Sequence, residues 1–120
     1  SRIDTIKKKS VLDLVRKAGI KWLCLGIESG DKNVRLEVSK GKFEDVNIKD
    51  VIKQVHDSKI EVMANYIFGL PGDDMEKMKK TYALSKKLCT VGWNAYPSMA
   101  LPGSQPCRGV PKPCADGHAC

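Results

Sequence analysis

A carboxylate between two glycines, in Gly26-Ile27-Glu28-Ser29-Gly30, is a group that can do chemistry. Its two oxygens accept hydrogen bonds from sugar hydroxyls, and the glycines let a ligand approach the backbone. The same residues also read as a strand-to-loop turn in which Glu28 caps the next segment. A second glycine-rich stretch, Gly69-Leu70-Pro71-Gly72-Asp73-Asp74, makes a strand-to-helix turn, and it is not a phosphate loop, because no Gly-Lys-Ser/Thr follows and the next residues are acidic. Cys107, Cys114, His118 and Cys120 offer four soft ligands for zinc or an auxiliary iron–sulfur cluster, but no Cys-x-x-Cys pair is among them. An irregular or aberrant end is the competing reading. His56 has no partner motif and reads as a surface or partly buried histidine, and Cys24 reads as core.

Three helix-then-strand patterns position these residues. Val11, Leu12, Val15 and Ala18 recur at helical spacing, Gly19 closes that helix, and Trp22 to Ile27 is a buried strand leading into Glu28. Asn47 caps a second helix with the stripe Ile48, Val51, Ile52 and Val55, which leads to a strand from Val62 to Phe68. A third helix has Asp73 and Asp74 at its positive end, and its predicted inner face is Met75, Met78, Tyr82, Ser85 and Leu88. It leads to a strand near Trp93 to Leu101. Near-continuous apolar strands joined through helices predict an α/β fold of parallel βα units. A closed eight-unit barrel takes about 250 residues, so 120 residues supply roughly half of a TIM-like barrel. Ligands of such sheets bind at the carboxyl ends of the strands, where Glu28, Gly69 and the Leu101-Pro102-Gly103-Ser104 turn fall together.

Composition narrows the partners. The chain is 42% hydrophobic and 29% charged, as in an ordinary globular protein. It carries a net charge of +7 with no isolated basic tail, and its two Trp, three Tyr and two Phe are too few for a base-stacking platform, so nucleic acid is not an expected partner. No apolar run of about 18 residues exists, so no membrane span is expected. Without a secretory signal pattern after Ser1, the expected location is cytoplasmic.

Taken in order, Arg2-Ile3-Asp4, the run from Ala18 to Gly30, Lys40-Gly41, the run from Ala64 to Asp74, and Leu101-Pro102-Gly103-Ser104 resemble one known arrangement. It is the second half of the core domain of the radical S-adenosylmethionine superfamily, most like the branch that often carries a cobalamin-binding domain upstream. The resemblance covers about residues 1–105 as a partial (β/α) barrel segment and leaves 106–120 as an irregular Pro/Cys-rich tail. Where the family usually continues with an apolar and aromatic pair and a helix, this chain has Pro106-Cys107-Arg108-Gly109-Val110-Pro111.

The resemblance implies that S-adenosylmethionine lies across the top of the partial barrel. Glu28 matches the position that contacts its ribose hydroxyls, and Lys40 matches the basic residue that pairs with its methionine carboxylate. Asn65 matches a second polar position near the ribose, and Ile67, on the same face of the strand, matches the apolar contact to adenine. The family holds a 4Fe-4S cluster with Cys-x-x-x-Cys-x-x-Cys, which does not occur here. The chain begins about two strands too late to include that loop, so the cluster belongs to the parent protein only, as does any cobalamin in an upstream domain. The implied parent reaction is reductive cleavage to a 5′-deoxyadenosyl radical and hydrogen abstraction from an unknown substrate, and this chain alone is expected to be inactive. Its implied partners are the small-molecule cofactor and the missing half of the barrel, or further copies paired through open sheet edges. The competing reading is a stand-alone, non-catalytic α/β module that binds a ligand or a partner.

Overall fold

A computed structural model describes residues 1–38, 46–88 and 90–99. Lys40, Cys89, Leu101 and the whole Pro/Cys-rich tail lie outside the described residues.

The expected α/β fold is found. Strands β1 (Trp22–Glu28), β2 (Glu61–Phe68) and β3 (Gly92–Pro97) form one parallel sheet in the order β1-β2-β3. Helix α1 (Lys9–Lys17) precedes β1, α2 (Lys32–Val38) and α3 (Ile48–Asp57) lie between β1 and β2, and α4 (Met75–Lys87) joins β2 to β3. Gly19, at φ +80°, ends α1 in the left-handed region that its missing Cβ allows. Asn47 caps α3 by accepting the Lys49 N–H at 3.2 Å, and the stripe of Ile48, Val51, Ile52 and Val55 is buried as the spacing predicts. Asp74 caps α4 by accepting the Lys77 N–H at 2.9 Å.

Alternation along the strands separates the two faces of the sheet. Leu25 and Ile27 of β1 and Val62, Ala64 and Tyr66 of β2 are buried against α1, α3 and the 3-10 helix Ile3–Ile6, and they make the core with Leu12, Val55 and Ile60. The opposite face carries Cys24 and Gly26, then Met63, Asn65 and Ile67, then Asn94 and Tyr96, none of them fully buried. No helix packs on this face among the described residues, so the sheet has a helix-covered side and an open side, as in a section cut from a barrel wall.

Several expectations are corrected. Cys24 is exposed on the open face and is not core. In α4 the inner side is formed by Thr81, Ser85 and the following Leu88, while Met75 is 63% and Tyr82 48% exposed. The cause is polar docking: α4 meets the turn after β1 through the Thr81 hydroxyl, a contact that hydropathy periodicity does not register. The Tyr82 ring instead lies under the Lys86 ammonium, 4.2 Å from the nitrogen. Ala18 is exposed at the end of α1. The third strand ends at Pro97, short of the predicted Leu101. Finally, the β1 edge is not bare, because Arg2 bridges Gly26 in parallel and Gly26 donates its N–H to the Ser1 carbonyl at 2.8 Å.

Candidate functional site

The end of β1 is where regular pairing breaks. Register with β2 shifts between Gly26 and Glu28, so that Gly26 faces Asn65 but Glu28 faces Tyr66. Glu28 has φ +67°, and the Ser29 N–H reaches back over it to the Ile27 carbonyl at 2.9 Å. A bond across one residue with positive φ at its centre is the tight γ-turn that a side-chain-bearing residue adopts only under constraint.

The constraint is supplied by the residues that follow. The Thr81 hydroxyl of α4 accepts the Gly30 N–H at 2.8 Å, lies 3.2 Å from the Ser29 hydroxyl, and donates back to the Lys77 carbonyl at 3.2 Å. Ser29 and Thr81 are fully buried. Arg35 donates from Nη1 to the Ser29 carbonyl at 2.7 Å, and the Ser29 hydroxyl accepts the Asp31 N–H at 3.1 Å. Asp31 receives the Lys80 ammonium at 3.1 Å and caps α2 through the Asn33 and Val34 N–H groups. Burial opposes ionisation of Asp31, but these donors outweigh it and hold its carboxyl below the ordinary value. Gly30 is required by space: a Cβ there would fall 2.7 Å from the Thr81 Cα and 2.8 Å from the Lys80 carbonyl oxygen. Its role in this structure is close helix–turn packing.

The second glycine-rich turn is likewise built for its own geometry. Gly69 and Gly72 have φ +75° and +77°, and the Asp73 carboxylate accepts the Gly69 N–H at 3.1 Å, closing the turn ahead of the Asp74 cap.

Where the strained turn meets the open face, Glu28, Asn65, Ile67 and Gly26 line one cavity of about 420 Å³. Three of the four residues singled out from the sequence are thus brought together, and the fourth, Lys40, lies outside the described residues. Ser1, Arg2 and Tyr96 complete the wall. Arg2 is paired with Asp4 through Nε at 3.0 Å. Tyr96 was not singled out from sequence; its signal is its register opposite Ile67.

Burial pushes the Glu28 carboxyl above its ordinary value. No donor among the described residues bonds that carboxylate. Asn65 accepts a hydrogen bond at Oδ1 from Asn94 Nδ2 at 3.0 Å. A half-buried acceptor, a carboxamide and an aliphatic side chain around a cavity of ligand size suit a molecule with both hydrogen-bonding and apolar parts. Metal ligation is a different matter. Among the described residues no three His, Cys, Asp or Glu side chains converge, so they do not fit an iron–sulfur cluster. Nor is any described helix long and apolar enough to cross a membrane.

No family model matches the chain. It is 26% identical over 77 residues to bacteriochlorophyllide d C-12(1)-methyltransferase of Chlorobaculum tepidum, a match that covers 64% of this chain and 17% of that protein. Its structure superposes with a TM-score of 0.71 and 20% identity on coproporphyrinogen III oxidase (HemN) of Escherichia coli, a radical SAM enzyme, over 84% of this chain and 23% of that one. The chain therefore spans about a fifth of the length of the proteins it matches, and its three parallel strands and their helices have the fold of part of a radical SAM enzyme.

Proposed function

We propose that this chain is a segment of a radical S-adenosylmethionine enzyme of the cobalamin-associated branch, and that it forms the wall that grips the nucleoside end of S-adenosylmethionine. One observation carries the reading: Glu28, Asn65 and Ile67, the positions that the family resemblance implies, line a single cavity at the carboxyl ends of parallel strands. The shared fold with HemN and the likeness to the methyltransferase support the same assignment.

In this reading Glu28 accepts the two ribose hydroxyls, Asn65 adds a polar contact to the same ribose, and Ile67 packs on the adenine. Lys40 pairs with the methionine carboxylate. The strained turn at Glu28 holds the carboxylate in place before the ligand arrives, so little ordering remains to be done on binding. When bound, the cofactor supplies a sulfonium that reductive cleavage converts into a hydrogen-abstracting radical. This chain's residues bind and orient, and the cluster that delivers the electron sits on another part of the parent protein. The open face and the unpaired edge of β3 are then covered by the remaining strands of the barrel, which are the chain's principal partner.

Calorimetric titration of the folded chain with S-adenosylmethionine tests this. A dissociation constant of about 1 mM or below, weakened by both Glu28→Ala and Lys40→Ala, is the expected result. Binding that neither substitution weakens overturns the assignment of the cavity.

A further inference from the structure

Three side chains in a row on the open face settle which way an amide points. Met63 and Asn65 are two residues apart on β2, and Asn94 lies directly opposite Asn65 on β3. The Asn94 Nδ2 nitrogen is 3.4 Å from the Met63 sulfur and 3.0 Å from Asn65 Oδ1. A thioether sulfur can only accept. The end of Asn94 that faces both neighbours is therefore its NH2 group, one hydrogen for each. Asn65 must answer with its oxygen, and its own NH2 group, without a partner among the described residues, is what it brings to the cavity it lines with Glu28.

We propose that Asn94 is a positioning residue that, anchored by Met63, fixes the carboxamide of Asn65 so that the cavity presents a hydrogen-bond donor at Asn65 beside the acceptor at Glu28. The inference rests on the reading of this cavity as a ligand site and adds to it a polarity. A hydroxyl group, which gives one hydrogen bond and takes another, satisfies both side chains at once, whereas a ligand edge with acceptors only meets repulsion from Glu28. A free asparagine would offer either end. The thioether removes that choice, and the site selects a hydroxyl-bearing edge.

The test uses the full chain and two readouts. The first needs no ligand: hydrogen exchange of the side-chain NH2 groups by nitrogen-15 NMR. The Asn94 protons exchange slowly and the Asn65 protons fast. In Asn94→Asp, an acceptor-only side chain draws the Asn65 NH2 group to itself, so the Asn65 protons become protected. In the volume-conserving Met63→Leu, protection of the Asn94 protons falls. The second readout is titration with S-adenosylmethionine. Asn94→Asp weakens binding by about tenfold, the scale of one hydrogen bond lost with its donor turned away, and the same substitution in an Asn65→Ala background costs nothing further. Unchanged Asn65 exchange in Asn94→Asp overturns the proposal, as does an affinity loss that persists undiminished without Asn65. If the exchange pattern inverts as described while the folded wild-type chain does not bind S-adenosylmethionine, the amide relay stands and the cofactor reading falls.

Discussion

The Thr81 hydroxyl accepts the Gly30 N–H at 2.8 Å across 51 residues of sequence, tying the turn after β1 to the middle of α4. Two residues before Gly30 stands Glu28 with φ +67°. A conformation of this kind costs on the order of 1–3 kcal/mol and persists only where its surroundings fix it. The buried contacts of Thr81, Ser29 and Arg35 are those surroundings. Thr81→Val keeps the volume but leaves the Gly30 N–H without its acceptor, so the expected loss is about 1–3 kcal/mol. Urea unfolding measures the loss, and the same variant weakens ligand binding at Glu28, which it does not touch.

Gly30 tests the packing half of that arrangement. Because an added Cβ meets α4 backbone and not a movable side chain, Gly30→Ala forces the helix outward. Overpacking of this kind costs about 1–3 kcal/mol. Gly19→Ala is the useful contrast, because nothing lies within 4 Å of its Cβ position and only its φ of +80° opposes the change. Thermal unfolding of the two variants separates steric cost from backbone cost.

Glu28 and Asp31 respond to pH with opposite sign. The Glu28 carboxyl is raised by burial, so its proton is held more tightly in the folded chain than in the unfolded one. Its ionisation erodes stability as pH rises from the ordinary carboxylate range through the higher folded value. Glu28→Gln therefore stabilises the chain at neutral pH, has no such effect in strong acid, and weakens binding of a diol-bearing ligand. Asp31 is lowered by its donors, so its contribution is present above the unfolded value and lost as pH falls through the folded one. Asp31→Asn removes that acid-side loss. Stability measured by urea unfolding across pH 2 to 8 checks both, and a Glu28→Gln variant less stable than wild type at neutral pH contradicts the first.

Much of the fold was legible because burial and period coincide. Strands expected to start at Trp22, at Val62 and near Trp93 start at Trp22, Glu61 and Gly92, and the α3 stripe is buried as spaced. The 3-10 helix Ile3–Ile6 and helix α2 were not foreseen. Each spans two turns or fewer, too short for a period to emerge, and α2 (Lys32–Val38) has a charged sequence. On the inner side of α4, Ser85 and Leu88 are buried as expected, but Thr81 took the place given to Met75 and Tyr82 because its contact there is made by a hydroxyl. Within the candidate site, the family resemblance pointed to Glu28, Asn65 and Ile67, which share one cavity. Tyr96 in the cavity wall and Asn94 behind Asn65 were missed, since what brings them beside β2 is the β2–β3 register, which no local pattern encodes.

The central claim is that the cavity beside Glu28 receives S-adenosylmethionine, and backbone NMR of the folded chain titrated with that cofactor tests it most directly. The account predicts shift changes concentrated at Gly26, Glu28, Asn65, Ile67 and Tyr96, absent from the exposed side of α3 and abolished in Glu28→Ala. Saturable shifts on α3 with silence at these residues, or a folded chain that does not respond at all, contradict it.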